Sequence, residues 1–275
     1  MKFTKMHGTG NDYVYVNCMR ETIENPSEIA KEISDRHFGV GSDGLILIEP
    51  SAVADFRMDI YNADGSRAKM CGNGIRCLGK YVYEYGLTGK TNLSVETLSG
   101  IRHLALQVSG GQVKTVKVDM GTPRFNSHCI PILSEKDLVL DEVIDVNGQR
   151  YHMTGISMGN PHAVVFVKDV MHFPVERTGK VFEFHPRFPE RINTEFCQVL
   201  DRQSLRMRVW ERGSGETLAC GTGACAAVVA SALNGLTDTE VQVKLLGGDL
   251  SVKWDRSVNR VYMTGPAVKV FDGII

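Results

Sequence analysis

The chain has 275 residues, of which 43% are hydrophobic and 23% are charged. This composition is typical of a globular protein of one or two domains, and it excludes disordered, coiled-coil and small disulfide-stabilised proteins. Lys and Arg number 31 against 32 Asp and Glu, so no basic excess indicates nucleic-acid binding.

No apolar stretch follows Lys2, so we expect no secretory signal, and residues 224–233, the most apolar stretch, are too short to span a bilayer. We therefore expect a cytoplasmic protein whose seven cysteines are reduced. No two cysteines have C-x-x-C spacing and no histidines form an HExxH motif, so we expect no metal site. The cysteines are Cys18, Cys71, Cys77, Cys129, Cys197, Cys220 and Cys225.

Apolar residues alternate in strands and recur every three or four positions in helices. In the first half this pattern predicts helices over residues 26–37 and 75–85, and it predicts strands at residues 3–6, 13–16, 45–48, 56–60, 93–96, 104–108 and 113–119. Gly121-Thr122-Pro123 then indicates a domain junction.

In the second half the pattern predicts strands at residues 163–167, 196–200, 205–210, 241–245, 250–254 and 261–263. A helix is predicted over residues 224–234, where Ala and Val occur on every face, so we expect this helix to be central and buried.

Two Cys-Gly-x-Gly segments lie 149 residues apart, at Cys71 and at Cys220. The same offset relates Gly10-Asn11 to Gly159-Asn160, Gly86-Leu87 to Gly235-Leu236, and Asn62 to Glu211. Several matches in one gapless register predict an internal duplication with two related domains. We expect the two Cys-Gly-x-Gly loops to face each other across a ligand cleft.

A Gly-rich loop that leads into a helix presents backbone N–H groups and the positive end of the helix dipole. Such a loop is suited to bind a carboxylate or phosphate, and it is expected to lower the pKa of a thiol placed there. Two such thiols on opposite faces of one carbon fit stereoinversion, with one thiolate removing the α-proton and the other thiol delivering a proton. Cys77 and Cys225 lie inside the following helices and are interpreted as packing residues, whereas Cys18, Cys129 and Cys197 have no motif around them.

Removing an α-proton usually requires pyridoxal phosphate on a Lys Schiff base. No Lys stands in an evident cofactor-binding context, so we expect no cofactor. The barrier would then be lowered by a dry cavity and by the two helix N-termini.

The sequence strongly resembles the diaminopimelate epimerase family. The matching segments run in family order over almost the whole chain and are FTKMHGTGND at 3–12, YNADGS at 61–66, MCGNGIRC at 70–77, GNPH at 159–162, INTEF at 192–196 and WERGSGETLACGTG at 210–223. The resemblance implies a cofactor-independent isomerase that interconverts LL- and meso-diaminopimelate in lysine and peptidoglycan biosynthesis. It also implies an α+β fold with two pseudo-symmetric domains, each a small, mostly antiparallel β-barrel around a central helix, and a homodimer.

The resemblance assigns the base and acid roles to Cys71 and Cys220, with His162 and Glu211 tuning their pKa values. The implied substrate-binding residues are Asn11, Asn62, Gly72, Asn73, Asn160, Asn193, Glu211, Arg212, Gly221 and Thr222. The domains are expected at 1–118 and 119–265, and residues 266–275 are expected to return to the first. Gly44 departs from the family, since some members carry a ligand-contacting Gln there.

Two alternatives remain. A proline or hydroxyproline racemase also has two thiols in such loops, although those enzymes typically have His where this chain has Asn73. A non-catalytic protein could instead bind an anion and form a redox-switched disulfide between Cys71 and Cys220.

Overall fold

The computed structural model describes residues 1–275 and contains four helices and eighteen strands. The first part of the chain comprises β1 (Lys2–Gly8), β2 (Asn11–Asn17), α1 (Pro26–Ser34), β3 (Gly44–Glu49), β4 (Phe56–Asn62), β5 (Arg67–Ala68), α2 (Gly72–Glu84), β6 (Asn92–Thr97), β7 (Gly100–Ser109) and β8 (Gln112–Gly121).

The remainder begins with a 3₁₀ turn at Ser127–Cys129. The elements that follow are β9 (Glu142–Val146), β10 (Gln149–Ser157), β11 (Pro161–Phe166), α3 (Val175–Glu183), β12 (Asn193–Asp201), β13 (Ser204–Glu211), β14 (Gly215–Thr217), α4 (Gly221–Leu233), β15 (Glu240–Leu245), β16 (Gly248–Asp255), β17 (Arg260–Gly265) and β18 (Val268–Ile274).

The chain separates into two compact units, one formed by Met1–Asp119 together with Thr264–Ile275 and the other by Met120–Met263. In the first unit the strands pair in the order β18-β1-β2-β3-β4-β6-β7-β8. In the second unit they pair in the order β9-β10-β11-β12-β13-β15-β16.

The two units repeat the same pairing scheme. In each, the third and fifth pairs are parallel, and every other pair of these two series is antiparallel. Val14 pairs with Leu45 in the first unit, and Ala163 pairs with Thr194 in the second, so both partners are shifted by the same 149 positions. The register found in the sequence is thus the register of the sheets, which confirms the predicted duplication.

Each sheet surrounds one central helix. Helix α4 contacts strands across the second sheet, and its residues Ala224 to Ala230 are fully buried, as its Ala- and Val-rich sequence predicts. Helix α2 contacts β1, β2 and β7 of the first sheet and leaves Tyr83 and Glu84 less buried near its C-terminal end. The molecule is therefore an α+β fold of two related units.

Helices α1 and α3 pack on the sheets away from the central helices. Ala30 and Ile33 of α1 join a core with β1, β2 and β3, while Phe182 of α3 joins Phe196 and Tyr151 in an aromatic core. Both helices have nine residues and begin 149 positions apart, at Pro26 and Val175. Helix α3 was not predicted from its own sequence because it has few apolar residues, yet the repeat register identifies it.

Three helix boundaries differ from the prediction. Helix α1 ends at Ser34 and not at His37, because Asp35 accepts hydrogen bonds from the backbone N–H groups of His37 and Phe38 and so closes a turn. Helices α2 and α4 begin at Gly72 and Gly221, three residues before the apolar periodicity starts. Strands β5, β9, β10 and β14 were also missed.

None of the helices is both long and apolar enough to cross a membrane.

A close contact between α3 and β13 gives a stability prediction. A Cβ added at Gly179 would lie within 2.5 Å of Cγ of Trp210. We expect Gly179→Ala to lower the free energy of unfolding by about 1–3 kcal/mol through overpacking, although Ala is the better helix former. Urea unfolding followed by circular dichroism measures this change, with the exposed Lys180→Ala as the control in the same helix. Stabilisation by Gly179→Ala would contradict the packing described here.

Candidate active site

Cys71 is the N-cap of α2, and its backbone is extended. Its Sγ accepts a hydrogen bond from the backbone N–H of Gly74 at 3.2 Å and donates one to Oδ1 of Asn11 at 3.3 Å. A Cβ at Gly74 would lie 2.6 Å from Cδ1 of Ile46, so only Gly lets the helix end pack this closely. The thiol is partly buried and is held by the first turn of the helix.

Asp43 fixes the direction of the Asn11 amide. Its Oδ2 accepts from Nδ2 of Asn11 at 2.6 Å and from the backbone N–H of Asp12 at 3.1 Å. Since a carboxylate oxygen can only accept, Oδ1 of Asn11 is directed to Cys71. Burial raises the pKa of Asp43, and the charge of Asp12 adds to this effect.

Arg76 joins the same helix end to the loop before β2. Its guanidinium is fully buried and donates to the carbonyl of Gly72 at 3.2 Å and to Oδ1 of Asn73 at 2.9 Å. It also contacts Oγ1 of Thr9 at 3.4 Å and the carbonyl of Pro266 at 3.2 Å. No role for Arg76 is predicted from the sequence, although a charged residue inside an apolar helix is the signal that indicates one.

Asn62 lies at the end of β4, where Nδ2 donates to Oγ of Ser66 at 3.0 Å within the turn that follows. Gly44 pairs with Asn62 across β3 and β4. A Cβ at Gly44 would collide with the carbonyl of Tyr61 and lie 3.0 Å from Cα of Asn62. This backbone therefore has no room for the Gln that some family members carry.

Cys220 is the N-cap of α4 and is buried, with 7% of its surface exposed. Its Sγ lies 3.5 Å from Oγ1 of Thr222. Glu211, at the end of β13, interacts with the Cys220 thiol and accepts a short hydrogen bond from Thr217. Burial raises the pKa of Glu211.

The pKa of Cys220 is well above that of an ordinary thiol, chiefly because of burial and then because of the charges of Glu211 and Glu195. The hydrogen bonds from Thr222 and from the backbone N–H of Gly223 act in the opposite direction. The expectation that the helix N-terminus favours the thiolate is therefore wrong for Cys220. Desolvation and the two nearby carboxylates outweigh the hydrogen bonds from Thr222 and Gly223.

His162 lies in β11 and is fully buried. Its Nδ1 is 2.7 Å from Oε1 of Glu195 in β12, and its Nε2 is 3.0 Å from Oδ1 of Asn160. Nδ2 of Asn160 donates to Oγ1 of Thr222 at 3.2 Å, which completes a chain of contacts from Glu195 to Cys220. Glu195 lies in the INTEF segment at 192–196, and no role is predicted for it from the sequence. A single charge inside an apolar strand was the signal that could have found it.

Asn193 supports Arg212. Its Nδ2 donates to the carbonyl of Pro161 at 2.8 Å, and its Oδ1 accepts from the backbone N–H of Arg212 at 2.9 Å. The Arg212 guanidinium is exposed and donates to the carbonyl of Glu190 at 2.8 Å. The Asn193 side chain is thus engaged on both sides by the protein itself.

The predicted residues fall into two groups, one in each unit. Cys71, Asn11, Asn73 and Gly72 lie together at the end of α2, with Asn62 at the end of β4. The second group surrounds the end of α4 and consists of Cys220, Gly221, Thr222, Asn160, His162, Glu211, Asn193 and Arg212. No group of three or more His, Cys, Asp or Glu side chains is arranged to hold a metal ion.

The environment of Cys220 predicts the effect of Glu211→Gln. Removing this negative charge lowers the pKa of the Cys220 thiol, since the neighbouring carboxylate disfavours thiolate. We expect alkylation of Cys220 by iodoacetamide at neutral pH to be faster by about tenfold for each unit of the decrease in pKa. Peptide-resolved mass spectrometry over a pH series measures the rate, and an unchanged or slower reaction would contradict the assignment.

The fold is shared with solved structures of low sequence identity. A probable proline racemase from Agrobacterium radiobacter, solved with bound carbonate, superposes with a TM-score of 0.75 at 14% identity. The match covers 100% of this chain and 92% of that chain. At this identity the likeness concerns the fold alone.

Sequence comparison is more specific. The diaminopimelate epimerase from Acetivibrio thermocellus is 60% identical over 99% of this chain and 98% of its own length. The diaminopimelate epimerase from Methanococcus maripaludis strain C5 is 55% identical over 100% and 99%, respectively. The family model for diaminopimelate epimerase matches residues 3–126 and 154–270. The chain therefore belongs to the diaminopimelate epimerase family.

Proposed function

We propose that this protein is an isomerase that interconverts LL- and meso-diaminopimelate, using Cys71 and Cys220 as its acid and base. The observation that carries the proposal is that both thiols are N-caps of equivalent helices in a duplicated fold. The names of the full-length relatives supply the substrate.

The reaction moves two protons. One thiolate takes the α-proton, so that the C–H bond breaks and an S–H bond forms. The other thiol delivers its proton to the opposite face of the same carbon and becomes thiolate, and the roles are exchanged for the reverse reaction. The raised pKa of Cys220 favours its thiol form and hence the donor role, leaving the base role to Cys71 in that direction.

The helix N-termini supply the stabilisation that a cofactor would otherwise provide. Negative charge that develops beside the α-carbon is stabilised by the backbone N–H groups of Gly72-Asn73 and Gly221-Thr222 in the first helical turns. No step of this mechanism requires pyridoxal phosphate.

The two ends of the substrate need both donors and acceptors. Asn11, Asn62 and Asn160 supply these through their amides, and Glu211 and Arg212 pair with charged groups. Asn193 acts through the backbone of Arg212, which its side chain holds.

The epimerase assignment is preferred to the two alternatives. Family membership favours diaminopimelate over proline, and proline has no second charged end for Arg212 to recognise. We further propose a cytoplasmic role in lysine and peptidoglycan biosynthesis.

Hydrogen exchange tests the two-thiol mechanism. Reduced protein incubated with LL-diaminopimelate in deuterated water is expected to incorporate deuterium at the α-carbon and to form the meso isomer. Cys71→Ala and Cys220→Ala are each expected to lose epimerisation by more than about 100-fold, since each removes one acid–base group. Chiral chromatography and mass spectrometry measure both products.

Cys129→Ala is the matched control, because this partly buried thiol lies outside both groups. Turnover of proline but not of diaminopimelate would decide for a racemase. No exchange with either substrate would favour the anion-binding protein, and parental exchange by both variants would eliminate the two-thiol assignment.

We also propose that the protein is a homodimer that associates through β18. The strand and the C-terminal residue expose apolar side chains over 41–78% of their surface, namely Val268, Val270, Phe271, Ile274 and Ile275. Several exposed apolar side chains on one strand are typical of a protein interface.

Sedimentation velocity tests the dimer. Two Glu substitutions, Val270→Glu with Ile274→Glu, are expected to shift the parent dimer to monomer by placing charges on this strand. Val53→Glu is the control, since Val53 is a 66% exposed apolar residue elsewhere in the same unit. A monomeric parent, or a double variant that remains dimeric, would refute the proposal.

A further inference from the structure

A buried carboxyl group at the end of α3 contacts the residues on both sides of Glu211-Arg212. Oε2 of Glu183 accepts a hydrogen bond from Nε1 of Trp210 at 2.7 Å, and Oε1 accepts one from the backbone N–H of Gly213 at 3.0 Å. Only 3% of the surface of Glu183 is exposed. Trp210 precedes the pair and Gly213 follows it, so one side chain holds both neighbours of the two residues that are proposed to meet charged groups.

The donors fix the direction of these hydrogen bonds. An indole N–H and a backbone N–H can only donate, so both oxygens of Glu183 act as acceptors. Oε1 also lies 3.6 Å from Nη1 of Arg191, and a guanidinium likewise only donates. A side chain with a single oxygen therefore could not serve Trp210 and Gly213 together.

Arg191 connects Glu183 to the segment before β12. Its backbone φ is 60°, in the left-handed region that residues other than Gly rarely adopt. Its guanidinium lies beside Glu183 and 4.5 Å from the centre of the Phe184 ring. The preceding residue, Glu190, provides the carbonyl that accepts from the Arg212 guanidinium. Glu183 thus contacts the turn that carries Arg212 and the neighbour of the residue that its side chain meets.

The internal duplication shows that the fold does not require a carboxyl group at this position. Ser34 ends α1 149 positions before Glu183 ends α3, and its Oγ lies 3.1 Å from Oγ of Ser42. Ala63 stands in the first unit where the second unit has Arg212. The acidic side chain therefore occurs in the unit whose turn carries the arginine.

We propose that Glu183 is a positioning residue that holds the turn between β13 and β14, residues 212–214, so that Arg212 can pair with a carboxylate of the substrate. The inference deepens the proposed function and rests on it for the identity of the substrate. Glu211 is held separately, because its side chain accepts from Thr217 and its backbone pairs with Gly215. Loss of the Glu183 contacts is therefore expected to affect Arg212 more than Glu211.

Hydrogen exchange of the backbone tests the contact without turnover. Glu183→Gln keeps the length of the side chain but turns an amide NH₂ group toward one of the donors. We expect the N–H groups of residues 211–214 to exchange about tenfold faster in this variant, while those of α4 keep their parental rates. Mass spectrometry of peptides measures the rates. Parental exchange in the turn, or an equal increase in α4, overturns the proposal.

Glu176→Gln is the matched control. Glu176 is an exposed carboxyl residue in the first turn of the same helix. This variant makes the same chemical change away from the turn, so we expect parental exchange rates and parental kinetics.

Steady-state kinetics measure the consequence for the substrate. We expect Glu183→Gln to raise the KM for LL-diaminopimelate by about tenfold, as for the loss of one hydrogen bond to a charged group. We expect kcat to stay within about threefold of the parent, since a contact used equally in the ground and transition states changes KM alone. A merely structural role would reduce the amount of folded enzyme, and so the apparent kcat, at an unchanged KM. An unchanged KM overturns the proposal.

Arg212→Ala tests whether Glu183 acts through this residue. It is expected to raise KM, and the double variant with Glu183→Gln is expected to raise it no further. Multiplied effects, or a parental KM for Arg212→Ala, overturn the proposal.

Trp210→Phe decides if Glu183→Gln does not fold. It removes the indole N–H but keeps an aromatic ring against Gly179. We expect a smaller rise in KM than in Glu183→Gln, because the contact with Gly213 remains, and a parental KM overturns the proposal. Failure of the parent to epimerise diaminopimelate would instead refute the proposed function, and the exchange rates would still decide whether Glu183 holds the turn.

Discussion

The structure depends on the burial of a helix N-terminus inside each sheet. The first N–H groups of a helix have no acceptor within it, so a buried helix end needs other partners. Here Cys71 is the N-cap of α2, and its Sγ accepts from the N–H of Gly74, whereas Cys220 occupies the N-cap position of α4 without a side-chain capping hydrogen bond. Gly74 and Gly223 allow Ile46 and Glu195 to pack directly on these ends. Burying N–H groups that lack an acceptor is energetically unfavourable. The packing around these two helix ends also fixes the positions of the two thiols.

The duplication gives the two ends the same backbone but different electrostatics. In the first unit the amide of Asn11 is directed by Asp43, and the thiol of Cys71 is partly exposed. In the second, Cys220 is buried beside carboxylates that raise its pKa. In the reaction that we propose, the raised pKa of Cys220 suits the group that gives a proton while the other takes one.

Supporting residues account for much of this difference. Arg76 ties the loop at Thr9 to the first turn of α2, and Asn193 ties Pro161 to the backbone of Arg212. These side chains use their polar groups on the protein itself. We therefore interpret them as positioning residues. They hold adjacent residues in place, and those adjacent residues are the candidates for binding a ligand.

The sequence by itself determined the duplication, the two central helices, most strands and the position of both thiols, because apolar periodicity and a gapless repeat are local or linear signals. The 149-residue offset also relates α3 to α1, although α3 has too few apolar residues to show a helical periodicity of its own. Tertiary structure alone decided the pKa of Cys220, the lack of room at Gly44 and the contact of Glu195 with His162. These depend on burial and on atoms from distant strands, so no local pattern could supply them.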